Sequence, residues 1–228
     1  MMNNKLIKKI FGSLGYKLVD KNLIKNSRLI AEKSILNLDL ILNKIFKNQK
    51  INSLIQIGAN DGERFDHLNK YIKKYNIFCV LVEPMGIYFK NLKKNYKNLK
   101  NIYFENSAIM VNNNINNSIY TVNKKYLKEY DEHISGISSF KKSHLIKHGV
   151  KTKHIINENI NCITIIELLK KYKVNKLDLL FVDAEGYDGN IILDFLSKSK
   201  LEPIIIFEFV HINSKIFKKL INKLIYKK

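Results

Sequence analysis

A continuous apolar run, Leu54-Ile55-Gln56-Ile57, breaks into Gly58-Ala59-Asn60-Asp61-Gly62, and helical spacing follows at once. The next apolar run, Phe78-Cys79-Val80-Leu81-Val82, closes on Glu83-Pro84. Apolar runs this short, separated by amphipathic segments, are strands buried on both faces between covering helices. That pattern holds for both segments. It commits the chain to an α/β fold with a mainly parallel sheet.

The alternation continues along the chain. Ser53–Ile57 reads as the first strand, and Glu63–Tyr75 as a helix with Phe65, Leu68, Ile72 and Tyr75 on one face. Phe78–Val82 is the second strand, Ile87–Leu99 a helix, and Ile102–Glu105 the third strand. Ser118–Val122 is a short strand, and residues 123–158 show little periodicity. We expect a long substrate-side loop there, holding Gly136-Ile137-Ser138-Ser139-Phe140 and the histidines His133, His144 and His148. Regular structure resumes at Ile160–Ile163. Thr164 and Glu167 then have capping-box spacing at the head of a helix ending near Tyr172. A strand over Leu177–Val182, a helix capped by Asp188, a strand over Pro203–Phe209 and a helix capped by Ser214 complete the pattern.

Residues 1–52 form an N-terminal helical extension and residues 53–228 the main domain. Leu6, Ile7, Ile10, Leu14 and Leu18 recur at helical spacing among lysines. That segment either packs on the domain or lies on a membrane surface as a basic amphipathic helix. No apolar run is long enough to span a bilayer and no secretory signal is recognisable. Cys79 and Cys162 sit in strand-like runs as reduced thiols. These features place the chain in the cytoplasm, with the inner face of the membrane in reach.

A formal charge of +20 raises the question of nucleic acid. Arginine occurs only at Arg28 and Arg64, so the cations are almost all lysine. They are scattered over helix faces and are not interleaved with aromatics as a stacking platform would need. Nucleic acid is therefore not the expected partner.

The chemistry collects at strand ends. Glycines at 58 and 62 let backbone approach a ligand at the carboxyl edge of the sheet. Their spacing is not the fingerprint of a pyrophosphate site, and Asp61 suits a cationic ligand better than an anionic one. Glu83, about 20 residues past the turn, can accept the hydroxyls of a ribose. Asp183-Ala184-Glu185-Gly186 puts two carboxylates at another strand end, where burial and mutual repulsion raise a pKa toward a useful value. Glu208 and His211 open onto the same edge. No metal-ligand spacing is recognisable.

In this set and order, the chain resembles the FkbM-type S-adenosylmethionine-dependent methyltransferases. The resemblance rests on Ile57-Gly58-Ala59-Asn60-Asp61-Gly62, Val82-Glu83-Pro84, Glu105-Asn106-Ser107-Ala108, Ile137-Ser138-Ser139-Phe140, Asp183-Ala184-Glu185-Gly186 and Ile206-Phe207-Glu208. It implies a class I, Rossmann-like methyltransferase fold with S-adenosyl-L-methionine as cofactor. Gln56, Gly58, Asn60, Asp61 and Gly62 would line its methionine part, and Glu83 and Pro84 its ribose. Asn106, Ser107 and Ala108 would border the adenine. Asp183 would stand near the methionine end and the acceptor, with Asp183, Glu185 and His211 as candidate bases. The implied reaction is O-methylation of a hydroxyl on a glycan sugar or specialised metabolite. A nicotinamide oxidoreductase, a non-catalytic cofactor-binding protein and an RNA methyltransferase are the competing readings. The family's closing strand pair is expected to be missing, because residues 212–228 suffice for about one helix. The last strand would then be an apolar sheet edge, to be covered by a homo-oligomeric partner or the N-terminal helices.

Overall fold

The computed structural model describes residues 37–64, 66–111 and 117–226, apart from the side chains of His133, Ser135 and Tyr226. The chain divides between Lys50 and Ile51. Before that point the described part is one helix, α1 (Leu38–Asn48), capped by Asn37, whose side chain accepts from the N–H groups of Asp39 and Leu40. The segment proposed for a membrane surface lies outside the described residues.

From Ile51 onward the central sheet has five parallel strands. β1 (Ser53–Ile57), β2 (Phe78–Val82) and β3 (Ile102–Glu105) run to one side. β9 (Leu179–Val182) and β10 (Ile204–Phe207) run to the other, giving the order β10-β9-β1-β2-β3. Register is continuous across the middle: Ile55 faces Val80 on one neighbour and Leu180 on the other. All five residues of β1 are buried, as continuous apolar runs require. Ile55, Ile57, Val80, Val82, Leu180 and Val182 share one face. That face packs with Ile165 and Leu168 of α6 (Ile165–Lys171), Ile191, Ile192 and Phe195 of α7 (Asp188–Lys198), and Leu220 of α8 (Ser214–Tyr226). The strand order reverses between β1 and β9. An open parallel sheet presents its ligand crevice at such a point.

Several local expectations are corrected. The helix expected from Glu63 begins only at Asn69, as α2 (Asn69–Tyr75). Asp61 Oδ1 accepts the N–H groups of Glu63 and Arg64, and Asp66 Oδ1 that of Leu68, so side chains hold these donors in turns. α3 spans Gly86–Asn95. The Thr164–Glu167 capping box forms as expected. Asp188 is not a cap: it is the first residue of α7, and its carboxylate reaches back to the N–H groups of Ala184 and Gly186. Asn213, not Ser214, receives the Lys215 N–H at the head of α8. No strand follows β10 among the described residues.

The largest correction concerns residues 123–158, which are not a loop. β5 (Ser118–Val122) pairs antiparallel with β6 (Ser138–Ser139) and with β7 (Ile155–Asn159). β4 (Ala108–Ile109) pairs with β8 (Cys162–Ile163). A short helix, α4 (Glu132–Ser135), and α5 (Lys142–Lys147) fill the connections. Val122, Ile137, Leu145, Val150 and Ile155 form a separate core under this layer. β7 carries polar residues on alternate, exposed positions and β6 is two residues long, so neither reads as a strand without β5 beside it.

Candidate active site

The turn after β1 is locked from both sides. The N–H groups of Gly58 and Ala59 donate to Val82 O at 3.0 and 2.9 Å, while Asp183 N–H donates to Ile57 O at 2.9 Å. Gly58 has φ +81°, and a Cβ there would lie 1.9 Å from the Asp183 carbonyl oxygen. Only glycine lets the two strand ends meet this closely. The next turn residue, Asn60, also has positive φ, and its N–H donates to Glu83 Oε2 at 2.9 Å.

A cleft of about 310 Å³ opens above these strand ends, a size at the lower end for ligand sites. Its floor is Gln56 to Asn60 with Asp183, Ala184 and Glu185. One wall is Glu83, Pro84, Ser107 and Ala108. The roof is Ile119 and Gly136 to Phe140, from the layer built on β5. Ser139 Oγ donates to the Glu185 carbonyl at 3.2 Å, tying roof to floor.

The sequence candidates separate in this geometry. Gln56, Gly58, Asn60, Glu83, Pro84, Ser107, Ala108, Asp183 and Glu185 line the cleft. Asp61, Gly62 and Asn106 support it from outside. The Asp61 carboxylate holds Arg64 and two backbone N–H groups, and Gly62 packs under Tyr96 and Leu92. Asn106 Nδ2 donates to the carbonyls of Glu83 and Pro84 at 2.8 and 3.0 Å. His211 stands beside the cleft, 3.6 Å from Glu208. Arg64, Asp66 and His67 also line it, hidden by the expected helix start, as do Tyr88 from α3 and Glu132 from α4, which carried no local signal.

Electrostatics give the cleft its character. Asp66, Glu83, Glu132, Asp183 and Glu185 face it, and Arg64 is already paired with Asp61 and Glu132. Burial raises the pKa of Asp66 against the hydrogen bonds it accepts from Leu68 N–H, Gln56 Nε2 and Tyr96 OH. Glu83 is buried and pushed up to about 7, chiefly by desolvation, although Met85 and Asn60 N–H groups oppose the rise. Asp183 is pushed up to about 8 by desolvation and then by the charges of Glu185, Asp188, Glu208 and Glu83. Its side chain is exposed within the cleft, so water screens part of that repulsion and a ligand displacing the water would restore it. Glu208 rises to about 7 for similar reasons, and burial lowers His211. A chain of formal charge +20 thus keeps an acidic cleft, which suits a cationic ligand.

The cleft also holds a buried acceptor that a ligand's ammonium group would suit. Gln56 Oε1 is buried with no hydrogen-bond donor among the described residues, although Nε2 of the same amide donates to Asp66 Oδ1 at 3.1 Å. Such an acceptor is costly unless a ligand serves it.

A family model described as "Methyltransferase FkbM domain" matches residues 56–225, which include every strand of the central sheet except the start of β1. No curated protein and no solved structure matches the chain.

Proposed function

Since this chain belongs to the FkbM methyltransferase family, we propose that it is an O-methyltransferase that takes its methyl group from S-adenosylmethionine. The acceptor is a hydroxyl of a glycan sugar or a related metabolite. The observation that carries this reading is the acidic cleft at the β1/β9 switch point, in which five carboxylates face a site with a single, already paired arginine.

Each residue then has a distinct role. The Gly58–Asn60 backbone borders the methionine part, and Gln56 Oε1 accepts from its ammonium group. Glu83 takes the ribose hydroxyls on lone pairs left over from its bonds to Asn60 and Met85 N–H. Ser107 and Ala108 border the adenine. When bound, the cofactor supplies an electrophilic methyl on a sulfonium. The protein's work is to align the acceptor oxygen, exclude water and remove one proton. Asp183 is the base: its carboxylate opens into the cleft, whereas Glu185 Oε2 is held by His144 Nε2 at 2.8 Å. The neighbouring carboxylates raise its basicity, and the positive charge of the bound cofactor would favour its ionised form. Gly136–Phe140 and Ile119 close the roof over the acceptor.

The test is calorimetry with S-adenosylmethionine and NAD, followed by methyl transfer to a panel of glycans. Asp183→Asn should keep cofactor affinity and lose about 10²–10⁴ in turnover. Near-normal turnover in both Asp183→Asn and Glu185→Gln would sink the assignment of the base. Binding of NAD in place of S-adenosylmethionine would sink the proposal itself.

A further inference from the structure

Three imidazoles converge beside Glu185 and Glu208, at the edge of the cleft. His144 and His148 are four residues apart on α5 and its C-cap, so they project to one side. His211 comes from the turn after β10 and meets them. Ring centroids are 4.6 Å apart for His144–His148 and His144–His211, and 5.1 Å for His148–His211. One potential ligand atom from each of the three lies within 4.8 Å of the others, and the same holds for Glu185, Glu208 and His211. His211 belongs to both groups.

We propose that His144, His148 and His211, with Glu185 as the fourth ligand, bind one divalent transition-metal ion of the zinc class at the cleft edge. Zinc takes imidazole nitrogen at about 2.0–2.1 Å, which places neighbouring ligand atoms about 3.3 Å apart on a tetrahedral ion. The three imidazoles already offer ligand atoms within 4.8 Å of one another, Glu185 Oε2 lies 2.8 Å from His144 Nε2, and His148 and His211 are only half-buried, which leaves their rings room to turn. A hydrogen-bonded histidine cluster is the simpler reading, but it leaves Glu185 and Glu208 as like charges facing one site. A shared cation converts that repulsion into attraction. Backbone geometry agrees: Glu185 has φ +50°, a left-handed conformation that a non-glycine residue adopts only at a cost. That conformation accompanies a carboxylate turned onto His144 Nε2. Glu208, 3.6 Å from His211 Nε2, is placed to orient that ring as an outer partner. Three imidazoles favour Zn²⁺, Co²⁺ or Ni²⁺ over Mg²⁺ and Ca²⁺, which take oxygen ligands.

Glu185 lines the cleft, so the ion would stand at the acceptor's end of it. On the methyl-transfer reading, the ion would take the acceptor hydroxyl as a fifth ligand and lower its pKa, with the proton passing to Asp183. Metal binding itself does not depend on that reading.

The experiment uses untagged full-length protein, freed of metal by a chelator and titrated with Co²⁺. The expected result is one equivalent bound, with the intense visible bands of a four- or five-coordinate Co²⁺, displaced by Zn²⁺ and not by Mg²⁺. His148→Ala and His211→Ala should each weaken binding by about 100-fold or more, and Glu208→Gln by ~10–100-fold. Zinc X-ray absorption on the unsubstituted protein counts imidazole ligands without relying on any variant's folding. Absence of stoichiometric binding, binding that survives both histidine substitutions, or a spectrum showing fewer than two imidazoles would overturn the site. Protein that binds zinc through these histidines but transfers no methyl group upholds the site and refutes the proposed function instead.

Discussion

Replacing Gly58 with alanine tests whether the meeting of β1 and β9 depends on a missing side chain. A Cβ at this position would lie 1.9 Å from Asp183 O, where an ordinary carbon–oxygen contact is about 3.3 Å. The strand ends must therefore part by roughly 1.4 Å. Movement of that size breaks at least one of the bonds that lock the turn, Gly58 N–H to Val82 O or Asp183 N–H to Ile57 O. The positive φ adds about 1–2 kcal/mol, the overlap about 1–3, and the lost hydrogen bond about 1. The expected destabilisation is about 3–6 kcal/mol. Gly149 supplies a matched control. Its φ is +85° and nothing lies within 4 Å of its would-be Cβ, so Gly149→Ala carries the backbone cost alone, about 1–2 kcal/mol. Urea unfolding followed by circular dichroism measures both. In heat, each kcal/mol corresponds to about 2–4 °C in a domain of this size. Calorimetry should also show Gly58→Ala losing S-adenosylmethionine affinity while Gly149→Ala keeps it. If the two variants agree within about 0.5 kcal/mol, the close approach at Gly58 is not what constrains the turn.

Two further outcomes follow from the same geometry. Glu83 is raised to about 7, and ribose hydroxyls donate to its ionised form, so cofactor affinity should fall as pH drops through 7. The folded group without ligand holds its proton below about pH 7, and binding must expel it, which weakens affinity about fivefold between pH 7 and 6. Calorimetry in buffers of different ionisation enthalpy checks this: proton release on binding at pH 6 is expected, and its absence removes Glu83 from the ribose site. Thr164→Ala opens the capping box of α6 and should cost about 0.5–2 kcal/mol in thermal unfolding without changing cofactor affinity.

The parts of the site that the sequence revealed are those whose signal is local. Gly58, Glu83 and Asp183 each follow a run of buried apolar residues, and a parallel strand delivers its last residue to the same edge every time. The capping box at Thr164 is legible for the same reason, since both partners lie within one turn. Asp66 was hidden because its carboxylate takes a backbone donor and delays the helix that the spacing of Leu68 and Ile72 suggested. The roof was hidden because β5, β6 and β7 are stabilised by one another and have little pattern alone.

What residue order alone determined is therefore the parallel α/β class, the carboxyl edge as the place of chemistry, and an acidic ligand-facing surface in a basic chain. The physical reason is that apolar continuity and glycine turns act over a few residues. Tertiary structure decided which of those groups meet. Only the fold brings Asp183 O against Gly58, seats Ser139 on Glu185, and gathers His144, His148 and His211 from sites up to 67 residues apart in the chain. Such contacts depend on sheet order and on the packing of a second core, and no local pattern encodes either.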